Sequence, residues 1–242
     1  NLDLERDEEG NFWLGMMNQT GVAKFDRKTG TFEVHPLPAA LLNDATQQAM
    51  IAPAHWEVDG KIWYNDAENR SVGRFDVRTG KFDPWWNLFA ALPKGEQNSV
   101  YGVYADSKNN VFFCDFSSDK IGRVDAKTGA VSFYQIPTPH ARPRRGRMDA
   151  QDRLWFAEWR GDKVGMLDTR TGQFKEWTLP SKFPAPYDAV VDKNEELWTG
   201  NDNDDRITRI DTKTGRTIDY LMPHEINVRR VFVDNATARP TF

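Results

Sequence analysis

Arginines and tyrosines recur at equivalent places along this chain. Arg142, Arg144 and Arg145 open one segment, Arg229 and Arg230 occupy another, and Arg160 ends the strand between them. His140 and His224 lie in the connections leading into those segments, and Tyr101 and Tyr187 take positions equivalent to Arg144. Guanidinium forks grip carboxylate or phosphate oxygens and rings stack on flat groups, so the set suits a small anionic or planar ligand. The competing use is structural, with the arginines pairing to Glu158, Asp115 and Asp188 and filling the interior. Carboxylates form a second set: Asp66 with Glu68, and the NDNDD run from Asn201 to Asp205. Clustered oxygens suit Mg²⁺ or Ca²⁺, yet hairpin turns favour Asn and Asp for their own backbone bonding. A cation held by Asp66, Asp115 or Glu158 would point to a metal-assisted lyase or hydrolase acting on a small cyclic or anionic substrate. His35 and His55 are isolated and read as surface or strand residues.

Other chemistries find no support. There is no GxSxG and no phosphate loop, and the lone cysteine, Cys114, lies on a strand and excludes an internal disulfide. A net charge of -4 with a pI near 5.7 gives no general attraction to nucleic acid or anionic lipid. No stretch approaches the roughly 20 apolar residues that span a bilayer.

What positions these residues is a repeat. Asp-x-Lys/Arg-Thr-Gly occurs from Asp26, Asp76, Asp125, Asp168 and Asp211. Thirteen residues before each aspartate stands an aromatic (Trp13, Trp63, Phe112, Trp155, Trp198), and six before that a carboxylate (Asp7, Glu57, Asp106, Asp149, Asp192). The TG pairs are 50, 49, 43 and 43 residues apart. Four strands per unit at such a period indicate an all-β fold, a β-propeller of four-stranded blades. A mean hydropathy of -0.70 suits many short strands joined by polar turns. The expected blades are 1–38, 51–88, 99–137, 142–180, 185–223 and a partial blade 226–242, all in one domain.

With strands a to d numbered from the axis outwards, the a-to-b and DxKTG turns share the bottom face of a blade. The d-to-a and b-to-c connections share the top. The motif glycine fits positive φ, and the aspartate can accept amides across the turn. The large ring on strand b is expected to pack between neighbouring blades. Because the motif spacings are constant, the extra residues of the longer repeats fall in the top-face connections after Pro38 and Trp86, each with enough Ala and Leu for a helical turn. Variable loops on a rigid scaffold are where binding sites usually lie.

INVRRVFVD from Ile226 aligns with the earlier a strands, so a sixth blade begins there. Propellers close their rings, so a longer natural chain, or a partner that supplies the missing strands, is expected. A start at Asn1 with neither methionine nor an apolar leader reads as a processed or partial chain.

The units LWFAEWRGDKVGMLDTRTGQFKEWTLP and KIWYNDAENRSVGRFDVRTGKFD resemble the repeats of the virginiamycin B lyase (streptogramin B lyase) family. That resemblance implies a seven-bladed propeller, and for the lyase members Mg²⁺-dependent elimination at the ester bond of a cyclic depsipeptide antibiotic. It also implies a bacterial protein, periplasmic or secreted. The lyases use a histidine eleven positions before a blade tryptophan, with a glutamate and a second histidine three and five after it. Here the first position holds Leu2, Ala52, Tyr101, Arg144, Tyr187 and, in the partial blade, Arg229. The second holds Met16, Asp66, Asp115, Glu158 and Asn201, and the third Asn18, Glu68, Ser117, Arg160 and Asn203. No blade has the set. Blade four keeps Glu158 between Arg144 and Arg160, and an arginine stays protonated near neutral pH and cannot serve as general base. The repeat also looks like that of eight-bladed quinoprotein dehydrogenases, but Trp177 falls one position late and recurs in no other blade.

The sequence thus favours a binding or assembly module with a cationic top-face pocket of Tyr101, His140, Arg144, Arg160, Tyr187, His224, Arg229 and Arg230. The alternative is the metal-assisted enzyme, with Glu158 as its catalytic group and Mg²⁺ implied by resemblance alone.

Overall fold

The computed structural model describes residues 3–47, 50–52, 55–234 and 239–241. Leu2 lies outside them. Among the described residues nearly all regular structure is antiparallel sheet. Blade one comprises Leu4–Arg6, Phe12–Gly15, Gly21–Asp26 and Thr31–Pro36. Blade three comprises Val100–Ala105, Val111–Asp115, Lys120–Val124 and Val131–Gln135. Blade four is Pro143–Met148, Arg153–Glu158, Lys163–Asp168 and Gln173–Thr178, and blade five Pro186–Val191, Glu196–Asn201, Arg206–Asp211 and Thr217–Leu221. Each is a four-stranded meander in chain order.

Blade two departs from this pattern. Its regular sheet has three strands, Lys61–Asp66, Ser71–Asp76 and Lys81–Phe82. The place of its inner strand is held by Ile51, bridged to Tyr64, with the Ala52 amide on Trp63 O at 2.9 Å. Trp56–Asp59 forms a helical turn capped by Gly60 at φ 82°. Pro84, which has no N–H to donate to a ladder, shortens the outer strand. The connection after Pro38 contains a 3₁₀ turn, Ala39–Leu41, whereas the one after Trp86 is built of turns without a helix. In the last segment the strand is shorter than the alignment implies: Phe232–Asp234 pairs with Arg239–Thr241.

All five DxKTG turns share one geometry. In blade two the Asp76 Oδ1 accepts the amides of Arg78 and Thr79 at 3.0 and 2.9 Å, the Gly80 amide donates to Asp76 O at 2.9 Å, and Gly80 has φ 67°. The aspartate thereby closes the turn with both side chain and backbone, and glycine occupies the left-handed position at no steric cost.

The carboxylate six residues before the ring has an equally specific use. Asp7, Asp149 and Asp192 accept the indole N–H of Trp13, Trp155 and Trp198 at 3.0, 2.8 and 3.2 Å. Their other oxygen accepts amides of the a-to-b turn. Glu57 is taken up by the helical turn, so Trp63 donates to Asn109 O instead, at 2.8 Å.

The chain forms two compact units, residues 1–117 with 122–133, and residues 118–121 with 134–242. In the first, Trp13 packs with Ile51, Ile62, Tyr64 and Phe75 of blade two, and Trp63 with Val100, Val103 and Phe113 of blade three. In the second, Trp155 packs with Ala189, Leu197 and Ile210 of blade five. Within each unit the rings fill the gap to the following blade, as the spacing implies.

Candidate functional site

The second unit gathers several of the basic residues singled out above. Pro143–Met148 is an irregular strand, with its register shifting between Pro143 and Gly146, which turns Arg144 and Arg145 at its start. The Arg144 guanidinium carbon lies 3.7 Å from the Tyr187 ring centroid, with those of Arg145 and Arg229 at 5.7 and 5.8 Å. Tyr187 is buried at the equivalent place in blade five and Arg145 is buried beside it, while Arg144 is half-buried and Arg229 exposed. Three cations around one ring exceed what a single aromatic face offsets. Asp202 supplies part of the balance: its Oδ2 lies 3.2 Å from Arg144 Nη1 and accepts the Trp159 indole N–H at 3.2 Å.

Trp159 was not among the sequence candidates, and Asp202 was one only within the NDNDD run read as a cation site, not as a partner of the arginines. Trp159 stands between Arg142 and Arg144, 5.3 and 5.4 Å from their guanidinium carbons. Its signal in the sequence was a tryptophan outside the repeat's aromatic position, in the b-to-c hairpin of the one blade whose inner strand opens with three arginines.

Arg230 turns elsewhere, its Nε 3.8 Å from Asp188 Oδ2, where Arg147 Nη2 also lies at 3.8 Å. This is the structural pairing foreseen for Asp188. Arg160, His140 and His224 are exposed; the Arg160 amide donates to Ala141 O and the His140 amide to Asp119 Oδ2. Tyr101 belongs to the first unit, where its ring packs on Phe116 at 5.4 Å and its carbonyl accepts the Asn65 amide group at 3.1 Å.

The acidic candidates are occupied by the fold. Asp66 is fully buried; its Oδ1 accepts the Gln47 and Asn69 amides and its Oδ2 the Asn69 side chain at 2.7 Å. Burial still raises its pKa, those bonds opposing. Asp115 Oδ1 accepts the amides of Ser99 and Ser117 at 2.8 and 3.3 Å. Glu158 is fully buried against Gly161 and Thr138, and neither carboxyl oxygen has a hydrogen-bond partner among the described residues. Burial, and then the Glu176 carboxylate, push its pKa up to about 8 against the pull of Lys163. Among the described residues no group of three His, Cys, Asp or Glu could hold a metal ion. In blade four the flanking positions carry Arg144 and Arg160, whose positive charge opposes a cation, so these residues do not fit a resident Mg²⁺.

No helix is long and apolar enough to cross a membrane among the described residues. The sequence profile of the virginiamycin B lyase family matches residues 3–229. A streptogramin B lyase structure superposes with a TM-score of 0.76 at 25% identity, covering 92% of this chain and 68% of its own. Catalytically inactive virginiamycin B lyase from Staphylococcus aureus with quinupristin gives 0.79 at 22% identity, covering 96% and 73%. The extracellular domain of a one-component system from B. thetaiotaomicron gives 0.73 at 13% identity, covering 97% of this chain and 31% of that one. Comparison with curated proteins returns no match.

Proposed function

Because the chain belongs to the virginiamycin B lyase family, we propose that it is a binding propeller that takes a small anionic or planar molecule at the Arg144–Tyr187 cluster and lacks antibiotic lyase activity. The observation that carries this reading is the 3.7 Å stack of Arg144 on Tyr187, with Arg145 and Arg229 beside it. A planar anion could exchange with one guanidinium on the ring and pair with the other two. The absence of lyase activity rests on side-chain chemistry. Elimination at an ester needs a base that can lose its proton near neutral pH, and Arg144 and Arg160 stand where the lyase histidines would. The reading extends to a periplasmic or secreted bacterial protein, which follows from family membership alone.

Calorimetric titration with benzoate and with inorganic phosphate tests the binding half. At least one should bind, and Arg144→Ala with Arg229→Ala should weaken it by about tenfold or more, roughly 1.4 kcal/mol. Unchanged affinity in the double variant removes the pocket. Incubation with quinupristin and Mg²⁺, followed by reversed-phase chromatography, tests the other half, with the antibiotic expected to elute unaltered. Appearance of the ring-opened isomer would move the chain to the metal-assisted enzymes.

A further inference from the structure

The connection between Lys81–Phe82 and Val100–Ala105 is one of the two long insertions of the repeat, and it borders a pocket of about 540 Å³ in the first unit. Trp85, Trp86, Phe89, Asn69, Asn87 and Asn98 line it. None of them stands at a constant position of the repeat, and most belong to the insertion, with Asn69 contributed by the b-to-c hairpin of blade two. Its volume falls within the range of small-molecule sites, and its walls combine ring surface with amides as such sites do.

Asn98 is the informative residue. It is 7% exposed, and its Nδ2 donates to Glu96 O at 3.2 Å, which fixes the other atom as the oxygen. That Oδ1 is buried and has no hydrogen-bond partner among the described residues. A buried acceptor without a donor is a cost to the fold, and Asn98 is one of the residues that line the pocket, so a ligand that supplies a donor to it would offset that cost. Trp85 has spent its own N–H on Leu41 O at 3.1 Å, so it offers the pocket ring surface and no donor. Both indoles are half-buried. Asn69 is held from below by its bonds to Asp66 and Asn43. Charge is sparse and nearly balanced, Arg70 and Lys94 against Glu96, which disfavours a site selective for a multiply charged anion.

Rings for an apolar face and amides for hydroxyls, with little net charge, are the complement of a sugar ring, whose C–H face is apolar and whose edge is a row of O–H groups. We propose that this pocket binds a short saccharide, with Asn98 Oδ1 accepting a ligand hydroxyl and Trp85 and Trp86 supplying the apolar wall. It lies within the first unit and its chemistry is independent of the arginine cluster.

Saturation-transfer NMR on the full chain, with the methyl glycosides of glucose and galactose, N-acetylglucosamine and glucuronate as probes, tests it. At least one probe should receive saturation. Asn98→Leu, which removes the acceptor at similar size, should weaken that probe by about tenfold while melting no lower than the parent protein. Trp85→Ala should weaken it as well, and the Arg144→Ala/Arg229→Ala variant should bind the sugar unchanged. Silence from all four probes, or equal binding by Asn98→Leu, overturns the proposal. Loss of sugar binding in the double arginine variant would also overturn it, by assigning the sugar to the other cluster.

Discussion

The indole N–H of Trp155 donates to Asp149 Oδ2 at 2.8 Å, and the Oδ1 of the same carboxylate accepts the amides of Gln151 and Arg153 at 2.9 and 3.0 Å. One side chain thus ties the a-to-b turn of blade four to the ring that packs on blade five. Asp7 with Trp13 and Asp192 with Trp198 repeat the arrangement. Asp149→Ala should cost about 2–4 kcal/mol, because it leaves a buried indole N–H and two turn amides without their acceptor. Asp149→Asn, which keeps one oxygen, should cost less. Urea unfolding followed by tryptophan fluorescence measures both, and equal losses would show that the carboxylate is not the organising element.

Two glycines of blade four separate backbone need from packing need. Gly172 has φ 74°, and a Cβ there would meet only the edge of the Tyr134 ring at 3.6 Å. Gly165 has an ordinary strand conformation, but a Cβ would run into the Phe156 ring that lies across it. Gly172→Ala should therefore cost about 1 kcal/mol of backbone strain, and Gly165→Ala about 1–3 kcal/mol from overpacking. The melting temperature should fall further for Gly165→Ala, and the reverse order would mean that the turn conformation matters more than the ring beneath the strand.

The same pair shows what was legible in the sequence. DxKTG announced itself because turn chemistry needs particular residues at fixed offsets, and the positive φ of Gly30, Gly80, Gly129, Gly172 and Gly215 follows from that need. The ring-over-glycine contact was also written there, as Tyr64 on Gly73, Phe113 on Gly122 and Phe156 on Gly165, but Ala23 and Thr208 replace the glycine in blades one and five and blur the pattern. The inner strand of blade two reads as regular because the carboxylate-to-ring spacing is kept at Glu57 and Trp63, whereas the described residues there make an isolated bridge, Ile51 to Tyr64, and no ladder. In the candidate site, spacing brought Arg144, Tyr187 and Arg229 to equivalent positions. It foresaw an arginine partner for Asp188 but not that Arg230 and Arg147 would be the ones to approach it, nor that Trp159 and Asp202 would complete the Arg144 cluster, since those contacts depend on side-chain direction across two blades.

Glu158 makes the fold sensitive to pH. Its pKa rises from 4.5 to about 8 on folding, because burial and then Glu176 oppose its charge. The folded state therefore binds more protons than the unfolded one between those values. The stabilisation from this group is fully present below about 4.5 and is lost as pH rises through about 8, with an upper bound of about 5 kcal/mol. Glu158→Gln removes the titration and should flatten the decline in melting temperature between pH 5 and 9. Parallel curves for the two proteins would show that Glu158 is ionised in the fold.

Asp188 is wholly buried, and its Oδ2 is shared by the Val231 amide at 3.3 Å, Arg147 Nη2 at 3.8 Å and Arg230 Nε at 3.8 Å. It is the negative charge that two arginines from different segments approach together. Asp188→Ala leaves both cations facing a site with no anion and should cost about 3–5 kcal/mol. Asp188→Asn still accepts the Val231 amide and should fall between the two. The cost of Asp188→Ala should shrink when Arg230→Met is added, because one of the stranded charges is then gone, and the coupling from the double-mutant cycle should be about 1–3 kcal/mol. Additive losses in urea unfolding would mean that Arg230 and Asp188 act independently, and that the segment after Ile226 is held to blade five by the packing of Val228 and Val231 and by backbone and Asn227 hydrogen bonds instead.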